Sequence, residues 1–129
     1  MVKSNYVRGF AAETRCKNEL LNAGYWAERF YASKGTFDVV AVNPGCVVRL
    51  IQVKRRKRNV ASSEAIVTEY AEDIEIMQRC PGLPAVSREL WIWVDQQFKM
   101  CHQKRKLVQT AGWLKFRVED DNIVRLGGD

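Results

Sequence analysis

The sequence predicts an α/β three-layer sandwich, one mixed β-sheet flanked by helices on both faces. Three observations point there. Hydrophobic periodicity switches between helical and strand spacing in the order α-β-β-β-α-β-β. The third strand segment, 46–54, is apolar on both sides, with Val48 and Leu50 on one face and Val47, Ile51 and Val53 on the other. A strand of that kind needs cover above and below. Finally, 129 residues that are 47% hydrophobic suit a single domain spanning 1–129 and leave no room for a second core.

Each element has a local reason. Ser4 is a helix cap and Gly24 a helix stop, which brackets a helix over 5–23. Tyr6, Phe10, Leu20 and Leu21 fall on one stripe of it, and Glu13 falls inside that stripe. A carboxylate facing a core is costly unless it is paired, protonated or bound to a metal; Lys17, one turn on, is the nearest partner by spacing. Strands are expected at 25–31 and 36–42, and Asn43-Pro44-Gly45 turns the chain into the third. Ser62 or Ser63 caps a second helix to about residue 79, with Ile66, Tyr70, Ile74 and Met77 inward and acids on the other side. Pro81, Gly82 and Pro84 end that region. A strand over 89–95 puts Trp91 and Trp93 on one face and Leu90, Ile92 and Val94 on the other. Residues 98–102 are expected to hairpin back, a short basic helical segment to follow, and 113–118 to form the last strand.

Charge narrows the partners. Lys and Arg number 21 against 15 Asp and Glu, for a net charge of +6, which favours an anionic partner: nucleic acid, or failing that an anionic membrane surface. The excess is local, with five consecutive cations at Lys54, Arg55, Arg56, Lys57 and Arg58 and three more at Lys104, Arg105 and Lys106. A solvated charged loop is the plainer account of such a run. No apolar stretch approaches the roughly 18 to 20 residues of a membrane span, and the first residues lack the apolar region of a secretion signal. A cytoplasmic protein without a membrane partner is the expectation. Cys16, Cys46, Cys80 and Cys101 have no metal or redox spacing and read as small buried hydrophobes. His102, the single histidine, has no nucleophile setting around it.

The chemistry concentrates at one place. Asp38 opens the second strand, and Gln52-Val53-Lys54 closes the third across a tight turn. One hairpin register sets Asp38 opposite Gln52 and a one-residue slip does not, a choice the sequence leaves open. Gln52 and Lys54, two apart, share a face. If Asp38 shares it, a carboxylate, an amide carbonyl and an ammonium converge, and Glu13 is placed to complete the group. Hard oxygen ligands suit Mg²⁺ or Mn²⁺, and a lysine beside them can orient or help deprotonate an attacking water.

An aspartate followed across a β-hairpin by (Glu/Gln)-x-Lys resembles the PD-(D/E)XK nuclease superfamily, whose fold is restriction endonuclease-like. Arg8-Gly9-Phe10-Ala11-Ala12-Glu13 resembles the opening of archaeal Holliday junction resolvases, in which a glycine precedes the helix glutamate by four residues. Ser33, in Ala32-Ser33-Lys34-Gly35, resembles the serine ahead of their catalytic aspartate, and Phe37-Asp38-Val39-Val40-Ala41 resembles their aspartate-bearing strand. The likeness covers roughly residues 7 to 58. It extends to short phage and bacterial nucleases carrying Gln-Val-Lys here. The resemblance implies Mg²⁺- or Mn²⁺-dependent hydrolysis of DNA phosphodiesters, leaving a 5′-phosphate and a 3′-hydroxyl. Glu13, Asp38, Gln52 and the Val53 carbonyl would hold the metal, with Lys54 and Ser33 as further catalytic groups. Arg8, Lys34, Arg55, Arg56, Lys57 and Arg58 would contact DNA, with a four-way junction as substrate. A homodimer, with the tryptophan strand as one candidate interface, and a prokaryotic or phage origin also follow from the resemblance. Gln52 departs from the glutamate of archaeal resolvases and brings no charge. That leaves two other classes in play: a DNA-binding module that kept the fold and lost catalysis, and a small nuclease acting on linear or flapped DNA.

Overall fold

The structure, a computed structural model, describes residues 5–30, 35–45, 47–60, 62–101 and 106–127, without the side chains of 5–8, 98–101 and 106–109. Helix α1 (Asn5–Asn22) leads into strands β1 (Trp26–Arg29), β2 (Val39–Val42) and β3 (Val48–Arg58). Helices α2 (Ser63–Glu69) and α3 (Ala71–Gln78) cross over to β4 (Val86–Cys101), followed by β5 (Lys106–Val118) and β6 (Ile123–Leu126). One six-stranded sheet takes these strands in chain order, antiparallel throughout except for the parallel β3–β4 pair. The sheet is mixed and helices cover both faces, so the α/β sandwich is the observed architecture.

Alternation along the strands builds two cores. Leu90, Ile92 and Val94 of β4 meet Ile66, Tyr70, Ile74 and Met77 of the α2–α3 layer, together with Leu114, Phe116 and Val118 of β5. Trp91, one residue out of phase, turns to the other face, where Ile51 and Val53 of β3, Val39 and Ala41 of β2 and Ala27 of β1 meet Ala12, Cys16 and Leu20 of α1. Each fully buried large side chain here is worth about 1.5–3 kcal/mol of transfer free energy.

Several expectations shift. The inward row of α1 is Ala12, Cys16 and Leu20, while Phe10 and Leu21 are exposed; small residues let the helix lie close on the sheet. Gly24, at φ 91°, ends α1 as expected, with Tyr25 N–H donating to the Leu20 carbonyl at 3.0 Å. The expected second helix bends at Tyr70, whose φ of −111° and ψ of 27° leave the helical region. The Thr68 hydroxyl donates to the Glu64 carbonyl at 3.1 Å, a back-bond that favours bending. β3 does not end at Lys54. It continues through the basic run to Arg58 because β4 supplies a parallel partner as far as Gln96.

β4 likewise runs on through 98–101 instead of turning back there, with a bulge between Val94 and Gln97. Beyond the end of β3, β4 and β5 continue as a two-stranded ribbon, pairing Gln97 with Thr110 through Cys101 with Lys106. From Lys106 the chain is strand where a basic helical segment was expected, and β6 had no counterpart in the periodicity. Ser33, Lys34, Cys46, His102, Lys104 and Arg105 lie outside the described residues, as do the side chains of Arg8 and Cys101. Trp91 is 1% exposed in the α1 core, so it packs the interior and is not surface for an interface.

Candidate active site

The β2–β3 register decides the arrangement. Val39 pairs with Ile51, which sets Asp38 across from Gln52, the first of the two registers the sequence allowed. At that point β2 leaves the ladder. Asp38 N–H donates to the Ile51 carbonyl at 2.8 Å, and the Asp38 carboxylate then takes the place of a strand partner. Its Oδ2 accepts the Val53 N–H at 2.8 Å. In a strand the N–H and C=O of one residue point the same way. The Val53 carbonyl therefore points to the same side of β3 as Asp38.

Gln52 and Lys54 turn to the α2–α3 side. Gln52 Nε2 donates to Asp73 Oδ1 at 3.2 Å, and Lys54 Nζ pairs with the same oxygen at 3.3 Å. Gln52 Oε1 is buried and has no hydrogen-bond partner. Arg56, next on that face, pairs with Glu69 at 3.2 Å while its Nε and Nη1 are buried without partners.

Glu13 sits on the α1 side, where its Oε1 pairs with Arg29 at 3.4 Å; Lys17, the partner suggested by spacing, pairs instead with Glu28. Burial first, and the Asp38 charge second, hold the Glu13 carboxyl above the usual range, against the lowering effect of Arg29. Asp38 and Glu13 therefore feel each other across the sheet edge.

The register keeps Asp38 across from Gln52, as one of the two expected arrangements had it, and the expectation that Glu13 completes the same group is corrected on this geometry. Ile51 and Val53 take the α1 face, so alternation drives Gln52 and Lys54 to the opposite one. Asp38 lies across from Gln52 and holds the Val53 N–H of the next residue. The structure thus brings Asp38 to Val53, and Gln52 to Lys54 through Asp73. It does not bring Glu13 into contact with Gln52 or Lys54. The basic run divides in the same way, for Arg55 pairs with Asp95 at 3.0 Å on the α1 face, opposite Arg56.

Asp73 was missed from sequence. It read as one of several acids on a solvated helix face, and only the tertiary fold lays it over β3. Among the described residues no group of three or more His, Cys, Asp or Glu side chains is arranged to hold a metal ion. The oxygen groups about Asp38 are a mixed set: the Glu13 carboxylate from the α1 side, the Val53 carbonyl beside Asp38 and, across the β2–β3 register, the partnerless Gln52 Oε1. That chemistry fits a hard divalent cation, and the buried, unused amide oxygen is the feature that fits it best.

A cleft of about 660 Å³ lies elsewhere, at the start of β3 and β4. Its charges are internally satisfied. Arg49 binds Glu89 at 2.6 and 2.7 Å, and Arg88 is bound by the carbonyls of Val118, Gln78 and Cys80 and by Asp120. These contacts tie the start of β3 and β4 to the end of α3 and of β5.

No protein-family model and no curated protein matches the chain. Among solved structures it is similar to Hjc of Archaeoglobus fulgidus, a Holliday junction resolvase from an archaeal hyperthermophile, at 22% identity and a TM-score of 0.49, over 86% of this chain and 73% of that one. No helix among the described residues is long and apolar enough to cross a membrane.

Proposed function

We propose that the chain is a Mg²⁺- or Mn²⁺-dependent endodeoxyribonuclease of the PD-(D/E)XK type that cuts four-way DNA junctions. The observation that carries the reading is the parting of β2 from β3 at Asp38. It sets the Asp38 carboxylate on the Val53 backbone and across from Gln52, whose amide oxygen is buried without a partner and whose neighbour on that face is Lys54. The sequence likeness across residues 7 to 58 supports the same reading.

In this reading Asp38, Gln52, the Val53 carbonyl and Glu13 would hold the cation, which when bound supplies charge stabilisation at the phosphate and a more acidic water. Asp38 is fixed for that task by the Val53 N–H. Lys54 donates from the Gln52 side, where it orients the attacking water. Water adds to phosphorus, the bond to the 3′ oxygen breaks, and the products carry a 5′-phosphate and a 3′-hydroxyl. The cations that follow on β3 hold the DNA backbone without reading sequence. A homodimer, placing two such sites on opposed strands, completes the proposal.

A second reading has one observation in its favour. The Gln52 amide carries no charge and is held by Asp73, as would suit a DNA-binding module that no longer cuts. Labelled four-way junction and matched linear duplex, incubated with Mg²⁺, Mn²⁺ or EDTA, separate the two. Metal-dependent junction cleavage that Asp38→Ala abolishes, with binding retained, is the expected result. Junction binding without cleavage in either metal would leave the binding module as the answer.

A further inference from the structure

Asp73 lies in the first turn of α3, anchored by Ile74 and Met77 in the core beneath it. One oxygen of its carboxylate meets two groups of the site at once, Gln52 Nε2 at 3.2 Å and Lys54 Nζ at 3.3 Å. A carboxylate only accepts, so it selects the NH₂ end of the Gln52 amide and turns Oε1 away from itself. The oxygen so turned is the one left buried and without a partner. The same carboxylate sets a negative charge against Lys54, whose ammonium would otherwise stand uncompensated beside the oxygen donors and repel a cation.

We propose that Asp73 is a positioning residue of this site: it fixes which end of the Gln52 amide is offered as a ligand and offsets the charge of Lys54. The inference rests on the nuclease reading above. It also explains how a glutamine stands where related enzymes have glutamate, since the negative charge is supplied one layer away, from the helix. Gln52→Glu then has a cost, because the new carboxylate would face Asp73 at hydrogen-bond distance. The exchange Gln52→Glu with Asp73→Asn keeps an amide–carboxylate hydrogen bond with its ends reversed, and keeps the net charge.

The test compares wild type, Asp73→Ala, Gln52→Glu and the double exchange. Mn²⁺ binding is measured directly by calorimetry, cleavage by junction assay and folding by urea unfolding. Asp73→Ala is expected to weaken Mn²⁺ binding about tenfold, as loss of an outer-shell partner does, and to raise the Mn²⁺ concentration needed for half-maximal cleavage. Gln52→Glu alone is expected to bind Mn²⁺ no better than wild type, and the exchange to recover binding that Gln52→Glu lacks. If Asp73→Ala shifts only the urea midpoint and binds Mn²⁺ like wild type, Asp73 merely docks α3 and the assignment is overturned alone. A wild type that neither binds Mn²⁺ nor cuts overturns the nuclease reading, and this assignment with it.

Discussion

The division of the basic run between two faces of β3 makes a prediction about DNA binding that the sequence alone could not make. Arg56 and Arg58 share the face of Gln52 and Lys54, whereas Arg55 and Lys57 point to the α1 side. If the DNA backbone lies against the Gln52 face, two alanine doubles must differ. Removing one phosphate-binding cation lowers the slope of log K against log salt by about 0.9, so Arg56→Ala/Arg58→Ala should flatten it by about 1.8. The Arg56–Glu69 pair, at 3.2 Å, joins a half-buried guanidinium to a carboxylate that is 42% exposed. A phosphate that takes the place of the exposed Glu69 carboxylate would meet the same guanidinium edge. Arg55→Ala/Lys57→Ala should leave the slope nearly unchanged. Fluorescence anisotropy on a labelled junction, in EDTA and from about 50 to 200 mM salt, reads both slopes. Equal flattening by the two doubles would refute the one-face docking and return the run to a diffuse cationic surface.

Two further outcomes concern stability. Glu89 is 2% exposed and bound by Arg49 at 2.6 and 2.7 Å and by Trp91 Nε1 at 2.9 Å. Arg49→Met should therefore cost about 3–5 kcal/mol in urea unfolding, and Arg49→Met/Glu89→Leu much less, because only the single change strands a buried carboxylate; a single-variant loss below about 1 kcal/mol would contradict this. Glu13 has a raised folded-state pKa, so its contribution to stability is full below the ordinary carboxylate range and falls as pH rises through the raised value. Glu13→Gln should gain on wild type in unfolding free energy as pH rises above the ordinary carboxylate range, and parallel stability–pH curves would rule that out.

What the sequence revealed and what it concealed divide along a physical line. Local chemistry was readable: the Gly24 stop, the Ser62 cap, whose Oγ accepts Ala65 N–H at 3.2 Å, and the Asn43 turn, whose Oδ1 accepts Val47 N–H at 3.0 Å. Strand alternation in β4 was readable as well, since Trp91 and Leu90 do part to opposite cores. The length of β3 was not, because five consecutive cations carry no strand signal of their own and are held extended only by pairing with β4. Nor was the break at Tyr70, where no glycine or proline marks it. Within the candidate site, Asp38, Gln52 and Lys54 were identified by their spacing. The choice of register and the separation of Glu13 from Gln52 and Lys54 needed the fold, and Asp73 needed the crossover.

That crossover has a consequence for how the site comes into being. Every neighbouring strand pair in the sheet is joined by a short connection except β3 and β4, which are parallel and have both helices α2 and α3 between them. Closing that long loop is the main entropic toll on assembly, since a distant pairing is rewarded only after its ends have met. Asp38 and Val53 belong to a hairpin that can form before the closure. Asp73 belongs to the loop being closed and reaches Gln52 and Lys54 only after it. A chain opened at the crossover would keep its Asp38 hairpin and lose the Asp73 contacts of Gln52 and Lys54, so the candidate site is joined from two halves of which one waits for the loop to close.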